Sequence, residues 1–112
     1  MKEVELKHKE VHKEIREFGG WLTRNLRRRL SARAAGGGPK LVVHATLDPS
    51  GLRDEGGLLT PLWAGTAALD VAFRDENGAP VARMTTTAEP RAGQLPPSGD
   101  RLIDDVEAFL RP

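Results

Sequence analysis

Apolar and polar residues alternate along the stretch 66–88, and this alternation predicts a β-hairpin with one buried face. Leu69, Val71 and Phe73 follow the two-residue period of a half-buried strand. Residues 75–78 have the sequence Asp-Glu-Asn-Gly, which predicts a turn, because Asn and Gly tolerate the positive φ that tight hairpins need. The alternation resumes beyond the turn, so the second strand continues the same buried face.

The length of the turn decides which residues of the two strands lie opposite each other. With a two-residue turn, Phe73 lies opposite Ala82. The same register places Val71 opposite Met84. A four-residue turn changes these partners but keeps the same residues on the inner face. Either register therefore predicts a sheet with one apolar side.

A helical period precedes the hairpin. From position 11 onwards, apolar residues recur every three or four positions, as they do on one face of an α-helix; they are Val11, Ile15, Phe18, Leu22, Leu26 and Leu30. Gly19 and Gly20 interrupt this pattern at a cost of about 1 kcal/mol each relative to alanine. The helix therefore begins near Gly20 or bends there. We expect it to end near Ala34, before a glycine-rich segment.

Shorter patterns complete the layout. Residues 4–8 alternate as a short first strand would, and residues 40–47 predict a strand that ends in a turn containing Pro and Gly. Residues 91–99 are expected to be a connector. Asp100 then caps a terminal helix whose apolar face consists of Leu102, Ile103, Val106, Phe109 and Leu110.

The order of these elements, (β)αβββα, predicts a single α+β domain over residues 1–112. We expect a two-layer sandwich in which the helices cover one face of a mostly antiparallel sheet. A chain of 112 residues is long enough for one such core and too short for two ordinary domains.

The charges are divided unequally between the two parts of the chain. Residues 1–40 hold eleven Lys and Arg against five Asp and Glu, whereas residues 41–112 hold six against eleven. A helix folded onto the sheet would bring the two parts together, so we favour internal complementarity. The alternative is a basic face that meets an acidic partner.

The composition excludes several kinds of chemistry. The chain has no cysteine, which excludes disulfides, thiolate metal sites and cysteine nucleophiles. No apolar run is long enough to span a bilayer, and the charged first twenty residues lack the apolar core of a signal peptide. We expect a periplasmic or outer-membrane-associated protein if a targeting segment has been removed, and a cytoplasmic protein otherwise.

Two segments resemble sites whose chemistry they do not support. His8 and His12 are four residues apart, but no thiolate is near and lysines surround them, so we expect a solvated pair and no metal site. Residues 36–40 (Gly-Gly-Gly-Pro-Lys) follow a helix and precede a strand. A phosphate loop requires the opposite order, with the glycines leading into a helix N-terminus. We find no catalytic constellation and expect no cofactor.

Arginines crowd the predicted helix over residues 21–34. Arg24, Arg27 and Arg28 are the candidate anion-binding residues, since a basic helix can hold phosphates of nucleic acid or lipid head groups. A solvated face is the simpler interpretation, because cations near a helix C-terminus are favoured by the macrodipole. The chain has no Tyr and three Phe, which weakens the case for RNA stacking.

An apolar patch between residues 58 and 63 is the candidate partner surface. It consists of Leu58, Leu59, Leu62 and Trp63, and Pro61 breaks it. The patch covers the core as a loop or begins the long strand of the hairpin. We expect it to be exposed and to contact a protein partner.

Four local patterns follow one another in an order that small bacterial envelope lipoprotein domains share. They are the helix segment Trp21-Leu22-Thr23-Arg24-Asn25-Leu26, the strand Leu41-Val42-Val43-His44-Ala45, the small-residue stretch Gly65-Thr66-Ala67, and a D-x-x-G-x-x-x-A turn at Asp75, Gly78 and Ala82. Residues 15–110 thereby resemble lipopolysaccharide-assembly lipoproteins, curli-secretion-like domains and lipoprotein families of unknown function. The resemblance implies a non-enzymatic envelope component that acts through protein contacts, and it implies no site residue.

These observations predict a binding or assembly module that is not an enzyme. Its expected location is the cell envelope, and its expected partner is another protein or a second copy of the chain. The alternative is a cytosolic module that binds nucleic acid or another polyanion through the arginine-rich helix.

Overall fold

The computed structural model of the chain describes residues 3–7, 12–34, 41–56 and 61–110. Within these residues it contains two helices and six strands. In chain order they are β1 (Glu5–Leu6), α1 (Lys13–Ala34), β2 (Val42–Asp48), β3 (Leu52–Asp54), β4 (Trp63–Gly65), β5 (Ala67–Arg74), β6 (Pro80–Ala88) and α2 (Pro96–Leu110).

The strands form two sheets of unequal size. The larger sheet has the order β1-β2-β5-β6, in which β1 is parallel to β2 and the other neighbours are antiparallel. Both helices pack on the face that carries the buried side chains of β2 and β5. The predicted α+β fold with a mostly antiparallel sheet is confirmed. The smaller sheet, formed by β3 and β4, was not predicted from the sequence pattern.

Helix α1 runs without interruption through its two glycines. It begins at Lys13, so the alternative of a start near Gly20 is wrong. Its inner side is almost completely buried, with exposures of 3% or less at Ile15, Phe18, Leu22 and Leu26. Burial contributes about 1.5–3 kcal/mol for each of these side chains, which exceeds the cost of about 1 kcal/mol for each glycine.

The hairpin between β5 and β6 has the predicted register. Phe73 lies opposite Ala82, and Val71 lies opposite Met84. The connection is longer than a two-residue turn, because the pairing shifts between Phe73 and Arg74. The irregularity lies at the turn end of the hairpin and leaves the apolar face of both strands directed at the helices.

The side chain of Asp75 explains the longer connection. Its Oδ1 accepts hydrogen bonds from the backbone N–H groups of Asn77 and Ala79, both at 2.9 Å. Gly78 follows with φ +84°, in the left-handed region that favours glycine. Together these bonds organise the chain between the two strands more tightly than a glycine turn alone would.

Helix α2 begins four positions before the residue that was expected to cap it. The predicted start was Asp100, but the first helical residue is Pro96. A proline is suited to this position because the first N–H groups of a helix have no intrahelical acceptor. Gly99 then lies in the first turns against α1, where an added Cβ would be 2.3 Å from Cζ3 of Trp21. The connector is therefore shorter than predicted.

Ion pairs join the basic and acidic parts of the chain, as internal complementarity requires. Nη1 of Arg29 on α1 donates to Asp104 at 3.3 Å and to Glu107 at 2.7 Å, both on α2. Nζ of Lys7 lies 3.4 Å from Oδ2 of Asp48. These pairs use only part of the positive charge of α1.

Candidate functional site

The side of α1 that faces away from the sheet carries five cations, which we call the basic face. With 3.6 residues per turn, this side is reached by positions three, four and seven residues apart. All five of its members are exposed; they are Lys13, Arg16, Arg24, Arg27 and Arg28. The three arginines predicted from the sequence as anion-binding residues are therefore on one surface.

Sequence reasoning missed two members of the basic face, Lys13 and Arg16. They were missed because the helix was expected to begin or bend at Gly20, which left no reason to place them on the same surface as Arg24. Both lie in the first turn of α1. The helix macrodipole disfavours cations at this end, since its N-terminus carries a partial positive charge. The macrodipole therefore does not account for these two cations, of which Lys13 forms an i,i+4 ion pair with Glu17.

The cations of the basic face are paired to different degrees. Lys13 Nζ lies 3.8 Å from Glu17 Oε1, and Arg28 Nη2 donates to Asn25 Oδ1 at 2.9 Å. Within the part of the chain that the structure describes, Arg16 and Arg24 have no ion pair and no side-chain hydrogen bond. The guanidinium N–H groups of Arg16 and Arg24 are therefore available to donate hydrogen bonds to a ligand.

A shallow cavity of about 410 Å³ opens to solvent along this helix surface. It is lined by Lys13, Arg16, Glu17, Gly20 and Arg24. Four of these residues are charged, and three of the four charges are positive. The cavity is therefore a positively charged groove with one acidic side chain in its wall, and it fits an anion better than an apolar ligand.

Of the four residues in the apolar patch, Trp63 is not exposed as expected. Trp63 is 6% exposed and belongs to the hydrophobic core. Its Nε1 donates to Glu14 Oε2 at 3.1 Å, and its backbone N–H donates to the carbonyl of Gly93 at 2.9 Å. Leu62 is 51% exposed, as expected. Leu58 and Leu59 lie outside the described residues.

The burial of Trp63 has a clear origin in the neighbouring backbone. Trp63 begins β4, which pairs with β3 and places the indole next to the start of α1. Gly93, with φ +76°, brings the loop before α2 so close that an added Cβ would be 2.7 Å from Cδ2 of Leu62. The segment is therefore held between α1 and this loop, and its tryptophan faces inward.

His12 takes part in this packing, and 37% of its side chain is exposed to solvent. It precedes α1, and its Nδ1 accepts a hydrogen bond from the backbone N–H of Glu14 at 3.2 Å. Its ring meets Trp63 edge-on with centroids 4.7 Å apart, and its Nε2 lies 4.0 Å from Asp54 Oδ2. His8 and residues 36–40 lie outside the described residues. Among the described residues, no group of three or more His, Cys, Asp or Glu side chains could hold a metal ion.

The perturbed pKa values belong to ion pairs on strands and their turns, away from the basic face. Hydrogen bonds from Ser50, together with Lys7, lower the pKa of Asp48. Arg83 lowers the pKa of Asp70, and Asp70 in turn raises the pKa of Arg83. Asp70 and Arg83 are on adjacent strands β5 and β6, so these shifts reflect cross-strand pairing and give no indication of an acid or base for catalysis.

Comparison with known proteins adds no further identification. Neither helix of the described chain has the length and apolar character needed to cross a membrane. No protein-family model, no curated protein and no solved structure matches the chain. The likeness to envelope lipoprotein domains therefore stays a prediction from the sequence pattern.

Proposed function

We propose that the protein is a non-enzymatic binding module whose contact surface is the basic face of α1 and whose ligand is the phosphate backbone of a nucleic acid. The observation that carries the proposal is the position of Lys13 and Arg16. They extend the positive surface into the first helical turn, where the helix macrodipole disfavours cations.

The pairing of the arginines supports the same conclusion. Arg29 contacts two carboxylates of α2 and so stabilises the fold. Arg16 and Arg24 have no such partner within the described residues, and both are exposed. Cations that the fold does not use are available for phosphate oxygens, which accept charge-assisted hydrogen bonds from guanidinium groups.

The aromatic residues favour contact with the backbone over contact with the bases. Phe18, Phe73 and Trp63 are buried. Trp21 is partly buried and stacks on Phe18, whereas the exposed Phe109 lies on α2, away from the basic face, and stacks on Phe73. A surface of cations without stacking residues binds phosphates irrespective of sequence. With five cations engaged, the logarithm of affinity for duplex DNA should fall with the logarithm of salt concentration with a slope of about −4.5.

The test is binding of a short DNA duplex, followed by fluorescence anisotropy. Replacing Arg24, Arg27 and Arg28 together by Gln should weaken binding about 30-fold at low salt, because three phosphate contacts are lost. The control replaces Arg74, Arg91 and Arg101 by Gln, which removes the same charge from exposed positions outside α1. An equal loss of DNA affinity in both variants would contradict a specific role for the basic face.

A second candidate function is assembly through protein contacts, as the resemblance to envelope domains implies. One observation favours it. Strand β6 is at the end of the larger sheet, and no strand of the described chain pairs with its outer edge. Such an edge can accept a strand from another chain.

The assembly candidate is tested by sedimentation over a range of protein concentrations. Self-association that Thr85→Lys and Thr87→Lys abolish would support pairing at β6, since charged side chains prevent edge-to-edge contact. A monomer at all concentrations would contradict assembly between copies. Fractionation of cells that express the gene in full tests the envelope location.

A further inference from the structure

The basic face is interrupted near its centre by a position without a side chain. Gly20 lies four residues after Arg16 and four residues before Arg24, so the three positions follow one line along the helix surface. All three line the cavity of about 410 Å³, together with Lys13 and Glu17. Gly20 is the one lining residue without a side chain, and Nη1 of Arg24 lies 3.4 Å from the place that its Cβ would take. We call this opening the Gly20 notch.

Neither packing nor backbone conformation within the described chain requires glycine at position 20. The residue is helical and half-buried, and its φ is not positive. An added Cβ would approach one atom within 4 Å, the Nη1 of Arg24 at 3.4 Å. That atom is the end of a flexible side chain and can move. Glycine nevertheless makes a helix interior less stable than alanine does.

We propose that the Gly20 notch is a binding site for a single phosphate group, held between the guanidinium groups of Arg16 and Arg24. This inference rests on the proposed function and names the point of the basic face where the contact is closest. Two guanidinium groups can each donate two hydrogen bonds to phosphate oxygens. The missing side chain at position 20 lets the phosphate approach the helix between them.

The other two lining residues adjust the charge of the notch. Lys13 and Glu17 lie 3.8 Å apart and are both well exposed. A phosphate that enters competes with Glu17 for Lys13, so the carboxylate lowers affinity for an anion. Glu17→Gln should therefore tighten binding of the phosphate about threefold, which a purely structural role of Glu17 would not cause.

The experiment compares Gly20→Ala with Gly19→Ala, a matched control in the same helix. At Gly19 an added Cβ would lie 3.7 Å from Cδ2 of Leu6, an ordinary contact on the buried side. Both substitutions should raise the melting temperature by about 4 °C, because alanine favours the helix. Only Gly20→Ala should weaken binding of a short DNA duplex, by about fivefold, because its methyl group fills the notch.

Inorganic phosphate is the second probe, observed by shifts of backbone amide resonances. In the parent protein and in Gly19→Ala, the largest shifts should occur between residues 16 and 24, and Gly20→Ala should reduce them. If Gly20→Ala binds both probes as the parent does, the proposed phosphate site at the Gly20 notch is wrong. This holds even when the three Gln substitutions on α1 abolish DNA binding. If the duplex fails to bind but phosphate still shifts these residues, the notch is supported and the proposed function is wrong.

Vesicles that contain phosphatidylglycerol are the third probe and separate two sources of phosphate. Tighter binding to vesicles than to the duplex, weakened by Gly20→Ala, would assign the notch to lipid head groups. That result would support the phosphate site and overturn nucleic acid as its ligand. Vesicle binding that Gly20→Ala leaves unchanged would count against the notch.

Discussion

The segment around Trp63 and the basic face of α1 both looked like contact surfaces in the sequence, yet the fold uses them in opposite ways. Trp63 is 6% exposed and bonds through its indole N–H to Glu14. Arg24 is exposed and has no ion pair within the described residues. A tryptophan with a bonded N–H stabilises the core, whereas a cation without a partner adds nothing to the fold. The comparison teaches that pairing, more than residue type, separates structural residues from those available to a ligand.

The largest expected effect tests the structural half of this comparison. Trp63→Ala should lower the free energy of unfolding by about 3 kcal/mol or more, because it removes a large buried side chain and leaves a cavity. Trp63→Phe keeps most of the apolar area but loses the bond to Glu14 and weakens the ring contact with His12, so it should cost about 1–2 kcal/mol. Urea denaturation measures both. A Trp63→Ala variant as stable as the parent would show that the indole contributes nothing to the core.

A smaller effect is expected within α1 itself, where paired and unpaired arginines can be compared directly. Arg29→Ala should cost about 1 kcal/mol, because it removes contacts with two acidic residues of α2. Arg24→Ala should leave stability unchanged and weaken DNA binding. Urea denaturation and anisotropy separate the two variants. If Arg24→Ala were the more destabilising one, the distinction between fold-stabilising and surplus cations would be wrong.

The smallest expected effect concerns the cross-strand pair of Asp70 and Arg83. The pair lowers the pKa of Asp70 in the folded protein, so its contribution to stability is complete above the ordinary carboxyl pKa. That contribution is lost as the pH falls below about 4 and through the lowered pKa. Parent and Asp70→Asn should therefore differ slightly in stability at neutral pH and converge in acid. Thermal unfolding at several pH values measures this, and a constant difference down to pH 2 would contradict it.

The elements with strong periodicity were predictable from the sequence. The two-residue period of β5 fixed the buried face, and the partners Phe73–Ala82 were correct although the turn is longer. The three- and four-residue spacing of α1 correctly gave four buried residues of its core side, with Leu30 partly buried beside them and Val11 outside the described residues. In both cases many weak contacts along one face point to the same arrangement, so the pattern survives a local irregularity.

The features that the sequence did not reveal depend on contacts between distant segments. Trp63 is buried because Gly93 and Glu14 approach it, and neither is near in sequence. The early start of α2 brings Gly99 against Trp21, which is distant from it in the sequence. The members Lys13 and Arg16 of the basic face were missed because Gly19 and Gly20 concealed the true start of the helix. The helix and strand propensities of neighbouring residues gave no information on any of these three features.

The contact between Gly99 and Trp21 has a consequence for the surface on the far side of α1. An added Cβ at position 99 would lie only 2.3 Å from the indole, so any larger residue there acts as a wedge between the helices. The wedge would tilt α1 on the sheet and change the direction in which its arginines point. The orientation of the basic face thus depends on Gly99 in α2, a residue that no ligand on that face would contact.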